Sequence, residues 1–427
     1  MKAGHNPTPF TPPRTADTLP RTVGGEFSHP VTASPWRLPF PNHPRAMSFQ
    51  RGRPSFVTIA AQSLRTPWVP LLAVLIVLAT LTPARAAQRL VLVAGGGEHE
   101  TGVPATQARL KDPFGVAFGP RGDLFLVELA GGRILQIDTA GVFRVVGGTG
   151  EKADSGDGGP AREAAFHSMH ALAIDPQGRV YLADTLNHRV RLYDPATGRV
   201  GPFAGTGQPG YAGDNGPALM AQFKGVYCVA LSPDSGTLLV TDLENRRVRA
   251  VDVASGRLRL IAGNGARGVP DDGARATESP LVDPRAAIAD REGRVYVLER
   301  SGHALRVVER DGLIRTVVGV GEAGLAGDGG PARAARLKGP KHLCLDRQGN
   351  VLIADTDNHV IRRFDPIRGT IERVAGTGEA GAGPPGQAPL ETALRFPHGV
   401  AVDAKGTLYI VDTGNHRLLR LEESPTP

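Results

Sequence analysis

Two cysteines in 427 residues, Cys228 and Cys344, offer almost nothing for covalent crosslinking. They fall in non-neighbouring copies of an internal repeat, so no structural disulfide is expected and stability must come from packing. Long apolar runs are also missing. The most apolar stretch, residues 69–81, is short against the roughly 20 residues that a membrane-spanning helix needs. Most of the chain carries no net charge. The formal charge is +7, but nine of the 49 Lys and Arg, and only two of the 42 Asp and Glu, precede residue 88. Residues 88–427 therefore hold 40 of each sign, with no field to gather nucleic acid and no nucleic-acid partner expected.

What is present begins with a leader. Residues 1–46 are rich in Pro, Arg and Thr without apolar periodicity, and read as disordered or as sequence upstream of a true start at Met47. Arg51, Arg53 and Arg65, the apolar stretch 69–81 and then Pro83-Ala84-Arg85-Ala86 give residues 47–87 the three parts of a secretory signal, cleaved near Ala86 or Ala87. The expected location is periplasmic or extracellular. The alternative is an uncleaved anchor at 69–82, the one membrane attachment expected.

The rest repeats itself. Copies start at Leu110, Phe166, Phe223, Leu281, Leu337 and Leu394, a period near 57 that indicates a solenoid, propeller or array. Within each copy the apolar runs are too short for helices and are bounded by turn residues. In the second copy, strands are expected at 171–174, 180–183, 190–193 and 200–204, with Asp175-Pro176-Gln177-Gly178 as a tight turn. Strands such as Leu408-Tyr409-Ile410-Val411 are apolar on both faces, so each sheet must be covered on both sides. Radially arranged four-stranded sheets meet that need, which makes 88–427 an all-β propeller.

Fourth strands are expected at 143–150, 200–207, 258–265, 314–321 and 371–378, but the sixth copy ends after its third. Residues 90–97, LVLVAGGG, match 371–378, IERVAGTG. The segment after the leader is therefore expected to complete blade six, closing the ring and removing an open sheet edge. Connections between blades carry Gly156-Asp157-Gly158-Gly159, Gly213-Asp214-Asn215-Gly216 or Gly327-Asp328-Gly329-Gly330, followed by a Pro-Ala-x-x-Ala that can form one helical turn. These loops have neither the clustered acidic ligands of a calcium loop nor the Lys-Ser/Thr of a nucleotide loop, and read as structural turns.

The copies resemble the NHL repeat, whose Asn-His-Leu signature stands here as Asn187-His188-Arg189, Asn358-His359-Val360 and Asn415-His416-Arg417, with a weaker Asn245-Arg246-Arg247. Their Val-Ala-Gly-Thr-Gly and Gly-Asp-Gly-Gly-Pro-Ala elements are similar to the bacterial and teneurin-type branch of that family. The resemblance implies a six-bladed fold. It leaves function open among RNA binders, protein-binding modules and a metal-dependent lyase.

What repeats in every blade serves the scaffold; what varies is free to serve a ligand. Glu128, Asp184, Asp242, Glu299, Asp355 and Asp412 end each second strand, where a carboxylate can accept turn N–H groups. The Asn of the following turn is expected in the left-handed conformation, and its His as a packed turn residue. By contrast, the residue expected just before each first strand changes from blade to blade: Phe114, His170, Tyr227, Arg285, Lys341 and His398. First strands line a propeller's channel, so these six should form one ring at its mouth, suited to an anionic or hydrogen-bonding ligand.

The peptidyl-α-hydroxyglycine α-amidating lyase propeller, similar in fold, holds zinc through Pro-His motifs on three blades. His398 matches that motif and His170 holds the same repeat position, but the third seat falls to Arg285, which cannot ligate a metal. No acidic and Asn set like that of gluconolactonase-type propellers can be placed. No cofactor is expected, with zinc or calcium the alternative. The leading expectation is a non-enzymatic module that binds a protein, an envelope glycan or a small anion. The alternative is a lactonase-like or amidating-lyase-like hydrolase or lyase at the channel mouth.

Overall fold

The computed structural model describes residues 88–423, so the leader and signal expected at 1–87 lie outside it. Six antiparallel four-stranded blades form a ring, three of them extended by a two-residue strand from the preceding connection. Among the described residues there is no α-helix, and so no helix long and apolar enough to cross a membrane. Blade two, with strands Leu172–Ile174, Val180–Asp184, Arg189–Asp194 and Arg199–Ala204, follows the expected pattern to within a residue at each end. Pro-Ala-x-x-Ala closes one 3-10 turn in four connections, at Ala105–Gln107, Ala161–Glu163, Ala218–Met220 and Ala332–Ala334. Both cysteines are free.

Blade six is built from both ends of the described chain. Gln88–Gly95 pairs antiparallel with Arg417–Glu423 in a register that places Leu90 opposite Leu421 and Gly95 opposite Arg417. Leu90 is fully buried with Ile361, Leu394, Ile410 and Leu419 between blades five and six. Burial of one such leucine is worth about 1.5–3 kcal/mol, so the closing strand is held by side chains as well as by its ladder.

Fourth strands end sooner than expected: blade five's runs Thr370–Ala375, not to residue 378. The cause is a close backbone crossing. Gly376 has φ +93°, and a Cβ there would stand 2.3 Å from the carbonyl oxygen of His359. The Gly-x-Gly at the end of each fourth strand therefore turns the chain out of the sheet, past the turn between the second and third strands of its own blade.

Three arginines, Arg191, Arg249 and Arg362, are among the largest fully buried side chains. Each comes from a third strand and reaches under its blade to the preceding connection. Arg362 donates to Asp328 (2.9 Å) and to the carbonyls of Arg336 (2.7 Å) and Ala326 (2.9 Å), with Asp355 at 3.6 Å. Arg191 and Arg249 repeat the arrangement on Asp157 and Asp214. The Asp of the Gly-Asp-Gly-Gly loop is thus tied to a buried guanidinium, a charge that would be costly without such partners.

Candidate functional site

Each second strand ends on a carboxylate with no solvent exposure. Its first oxygen accepts the N–H that begins the blade: Lys111 to Glu128 (2.7 Å), His167 to Asp184 (2.8 Å), Lys224 to Asp242 (2.7 Å), Val282 to Glu299 (2.5 Å), Lys338 to Asp355 (2.7 Å) and Arg395 to Asp412 (2.7 Å). Burial raises Glu128 and Asp412, and takes Asp184 and Asp242 to about 6 and Asp355 to about 7. The left-handed residue of the next turn is not Asn, as expected from its tolerance of that conformation, but the residue after it. His188, Arg246, His303, His359 and His416 have φ between 48° and 57°. Asn instead spends its side chain on the carboxylate, as Asn187 does at 2.9 Å from Asp184.

The turn histidines also join blades. Nδ1 accepts a backbone N–H from the next blade in four places: Gly225 to His188 (3.1 Å), Gly339 to His303 (3.3 Å), Phe396 to His359 (3.2 Å) and Asp112 to His416 (3.3 Å). His303 was not legible as one of the set because Gly302 stands where its copies have Asn.

Those donors lie two residues before the variable ring. In five blades that position is left-handed: Asp112, Ser168, Gly225, Gly339 and Phe396. The chain then enters its first strand through a bulge. Pairing skips Phe114 and Gly115 in blade one, Tyr227 in blade three, Arg285 in blade four and His398 in blade six. A bulged residue leaves the ladder and its side chain is re-aimed, here toward the channel mouth.

Five of the six residues expected in the ring, from His398 round to Arg285, form an unbroken run of contacts. His398 and Phe114 have ring centroids 3.9 Å apart, Phe114 and His170 4.8 Å, and His170 and Tyr227 4.6 Å. The Arg285 guanidinium lies 4.7 Å from the Tyr227 ring centre and donates to the Tyr227 carbonyl at 3.3 Å. Lys341 reaches Asp357 at 3.4 Å. Arg285 is only 3% exposed, yet among the described residues its hydrogen bond is to a neutral carbonyl and no carboxylate lies within salt-bridge distance of it. Burial lowers it to about 10, with Arg300 adding repulsion. Burial also lowers Lys341, against the pull of Asp357.

The two ring histidines are oriented from below. Nδ1 of His398 lies 2.8 Å from the carbonyl of Phe396, and Nδ1 of His170 lies 2.8 Å from the carbonyl of Ser168 and 2.9 Å from Thr185 Oγ1. A carbonyl only accepts, so Nδ1 carries the proton in both rings. Burial depresses both imidazoles well below their ordinary value; next come Arg285 for His170, and Lys341 with Arg285 for His398. They are neutral at pH 7, with the Nε2 lone pair free.

Zinc catalysis needs three protein ligands and an open position. Of the ring only His170 and His398 qualify, and the third seat is filled by the Arg285 cation. Among the described residues no three His, Cys, Asp or Glu are grouped to hold a metal. The donor set does not fit zinc. The ring's immediate neighbours Asp283, Arg300, Asp357, Thr185 and His342 were not found in the sequence. Arg300 could have been, since it departs from Thr185, Thr356 and Thr413 at one repeat position. It is held by Asp283 at 2.9 Å. His342, beside Lys341, is pushed down to about 4 by burial and then by Arg285.

The NHL repeat family model matches residues 394–421, the last copy. Among relatives, the chain is 25% identical over 295 residues to Protein SUPPRESSOR OF QUENCHING 1, chloroplastic, of Arabidopsis thaliana, covering 65% of this chain and 27% of that protein. Human teneurin-1 is 24% identical over 292 residues, covering 63% and 10%. NHL repeat-containing protein 2 of Gallus gallus is 26% identical over 290 residues, covering 61% and 39%. The chain thus spans well under half the length of these relatives. A solved auxiliary nutrient binding protein of Bacteroides ovatus superposes with a TM-score of 0.60 at 16% identity, over 80% of this chain and 78% of that one. With six blades in a closed ring, this protein is a six-bladed β-propeller whose last copy matches the NHL repeat and whose chain is similar to teneurins and NHL repeat-containing proteins over most of its length.

Proposed function

We propose that this chain is an exported binding module that takes an anionic ligand at the channel mouth. The ligand is a small anion or the acidic group of an envelope glycan or protein. The observation that carries this reading is Arg285, a buried guanidinium that makes no salt bridge among the described residues. Leaving a cation desolvated and unpaired costs several kcal/mol, and a bound anion would remove that cost. Lys341 on the next blade adds a second cation, and the aromatic faces of Phe114 and Tyr227 complete the wall. A binding role also suits the Bacteroides proteins of like fold whose names describe nutrient binding.

The test is calorimetric titration of the full chain with sulfate and short carboxylates. Binding by wild type, with at least a tenfold loss in Arg285→Met, is expected. A wild-type protein indifferent to every anion sinks the reading. A hydrolase or lyase at the same mouth is the second reading, favoured by the free Nε2 lone pairs of His170 and His398, which are the form a general base takes. Consumption of an ester or lactone, lost in His170→Phe and His398→Phe, would establish it.

A further inference from the structure

The ring is chemically two-sided. Blades six, one and two supply His398, Phe114 and His170: an aromatic face flanked by two lone pairs. Blades four and five supply Arg285 and Lys341, which only donate. Tyr227 stands between the two sides, with its centroid 4.6 Å from that of His170 and its face 4.7 Å from the Arg285 guanidinium.

The fixed tautomers decide what such a ring accepts. Phe396 is a bulky residue held at φ +46°, and Ser168 stands at φ +58°. Both are conformations that favour glycine, which blades three and five use at this position. In blades two and six the carbonyl of that residue takes the Nδ1 proton of the ring histidine, so Nε2 can only accept. An anion with acceptors on every side, such as sulfate, satisfies Arg285 and Lys341 but sets its oxygens against two lone pairs. A ligand with an acceptor at one end and a donor at the other meets a partner on each side.

The donor could be an ammonium or a hydroxyl. Charge chooses between them. Arg285, Lys341 and Arg300 converge on the mouth, while Asp283 and Asp357 are already engaged with Arg300 and Lys341. An ammonium would enter an already cationic site, whereas a hydroxyl carries no such penalty.

Resting on the anion-binding reading above, we infer that the ligand is a small hydroxy acid, its carboxylate on Arg285 and Lys341 and its hydroxyl donated to Nε2 of His170 or His398. The experiment is titration of the full chain with matched pairs of equal carbon count: lactate and propionate, 4-hydroxybutyrate and butyrate, 6-hydroxyhexanoate and hexanoate, with sulfate as the acceptor-only anion. One pair is expected to favour the hydroxy acid by about tenfold, the worth of a well-placed hydrogen bond in a buried site. His398→Phe or His170→Phe, which keeps the aromatic contacts, is expected to erase that preference, the affinity ratio within the pair falling to about one. Equal affinity within every pair for wild type overturns the inference but leaves the anion site standing. Failure of all these anions to bind overturns both. Because the wild-type comparison decides alone, a variant that does not fold leaves the result intact.

Discussion

His416 Nδ1 accepts the backbone N–H of Asp112 at 3.3 Å, joining the last turn of blade six to the start of blade one across 304 residues of chain. The same bond recurs between blades two and three, four and five, and five and six. It is the polar half of a closure whose apolar half is the strand Gln88–Gly95.

The two halves are unequal. His416 is more than half exposed and Leu90 is fully buried. His416→Ala should cost about 1 kcal/mol, a neutral hydrogen bond in contact with water. Leu90→Ala should cost about 2–5 kcal/mol because it opens a cavity between two blades. Urea unfolding monitored by circular dichroism ranks them, and a Leu90→Ala midpoint equal to wild type would contradict a packed closing strand.

Arg362 is expected to be indispensable although it touches no surface. Arg362→Met leaves the fully buried Asp355 without its counter-ion and takes the donor from Asp328 and two carbonyls, a loss of about 3–5 kcal/mol. Arg315→Met, which breaks the exposed pair with Glu309, should cost less than about 1 kcal/mol. Thermal melting of the two variants side by side checks the contrast; equal losses would mean the buried guanidinium is not a clamp.

Gly376→Ala tests the backbone crossing. A Cβ at this position meets the His359 oxygen at 2.3 Å and Val360 Cα at 2.8 Å, on a residue with φ +93°. Both contacts are main chain and cannot swing aside. The expected loss exceeds the roughly 1 kcal/mol of an ordinary unfavourable glycine replacement. Gly369→Ala, at φ +67° with nothing within 4 Å of the added methyl, is the control that carries the conformational cost alone. Matching denaturant midpoints for the two would remove the steric argument.

His342 makes stability depend on pH. Its folded value is about 4 and its unfolded value near 6.5. As pH falls through 6.5 the unfolded chain takes the proton first. This residue's share of stability therefore declines between pH 6.5 and 4, and is constant above and below that window. The total is on the order of 1–3 kcal/mol. His342→Gln, which retains an acceptor for the Val400 N–H, should melt with a flatter dependence than wild type between pH 7 and 5. Parallel curves would show that the imidazole titrates normally in the folded protein.

A near-constant period, turn chemistry at fixed offsets and a truncated last copy were enough to give the blade count and the closing strand. These follow from local patterns, because each blade is built mainly from residues near one another in sequence. Copy-to-copy comparison also separated the six carboxylates from the six unlike ring residues. The buried arginines were not readable, since a charged residue in a strand looks solvent-facing until the Asp some 35 positions earlier is seen folded against it. Nor could spacing give the left-handed histidines, the bulges or the tautomers of His170 and His398. Those depend on where a carbonyl two residues back is pointed by a strained backbone, and on which neighbouring blade stands ready to accept or donate. The sequence set six unlike groups at one repeat position; folding chose which neighbours each one meets.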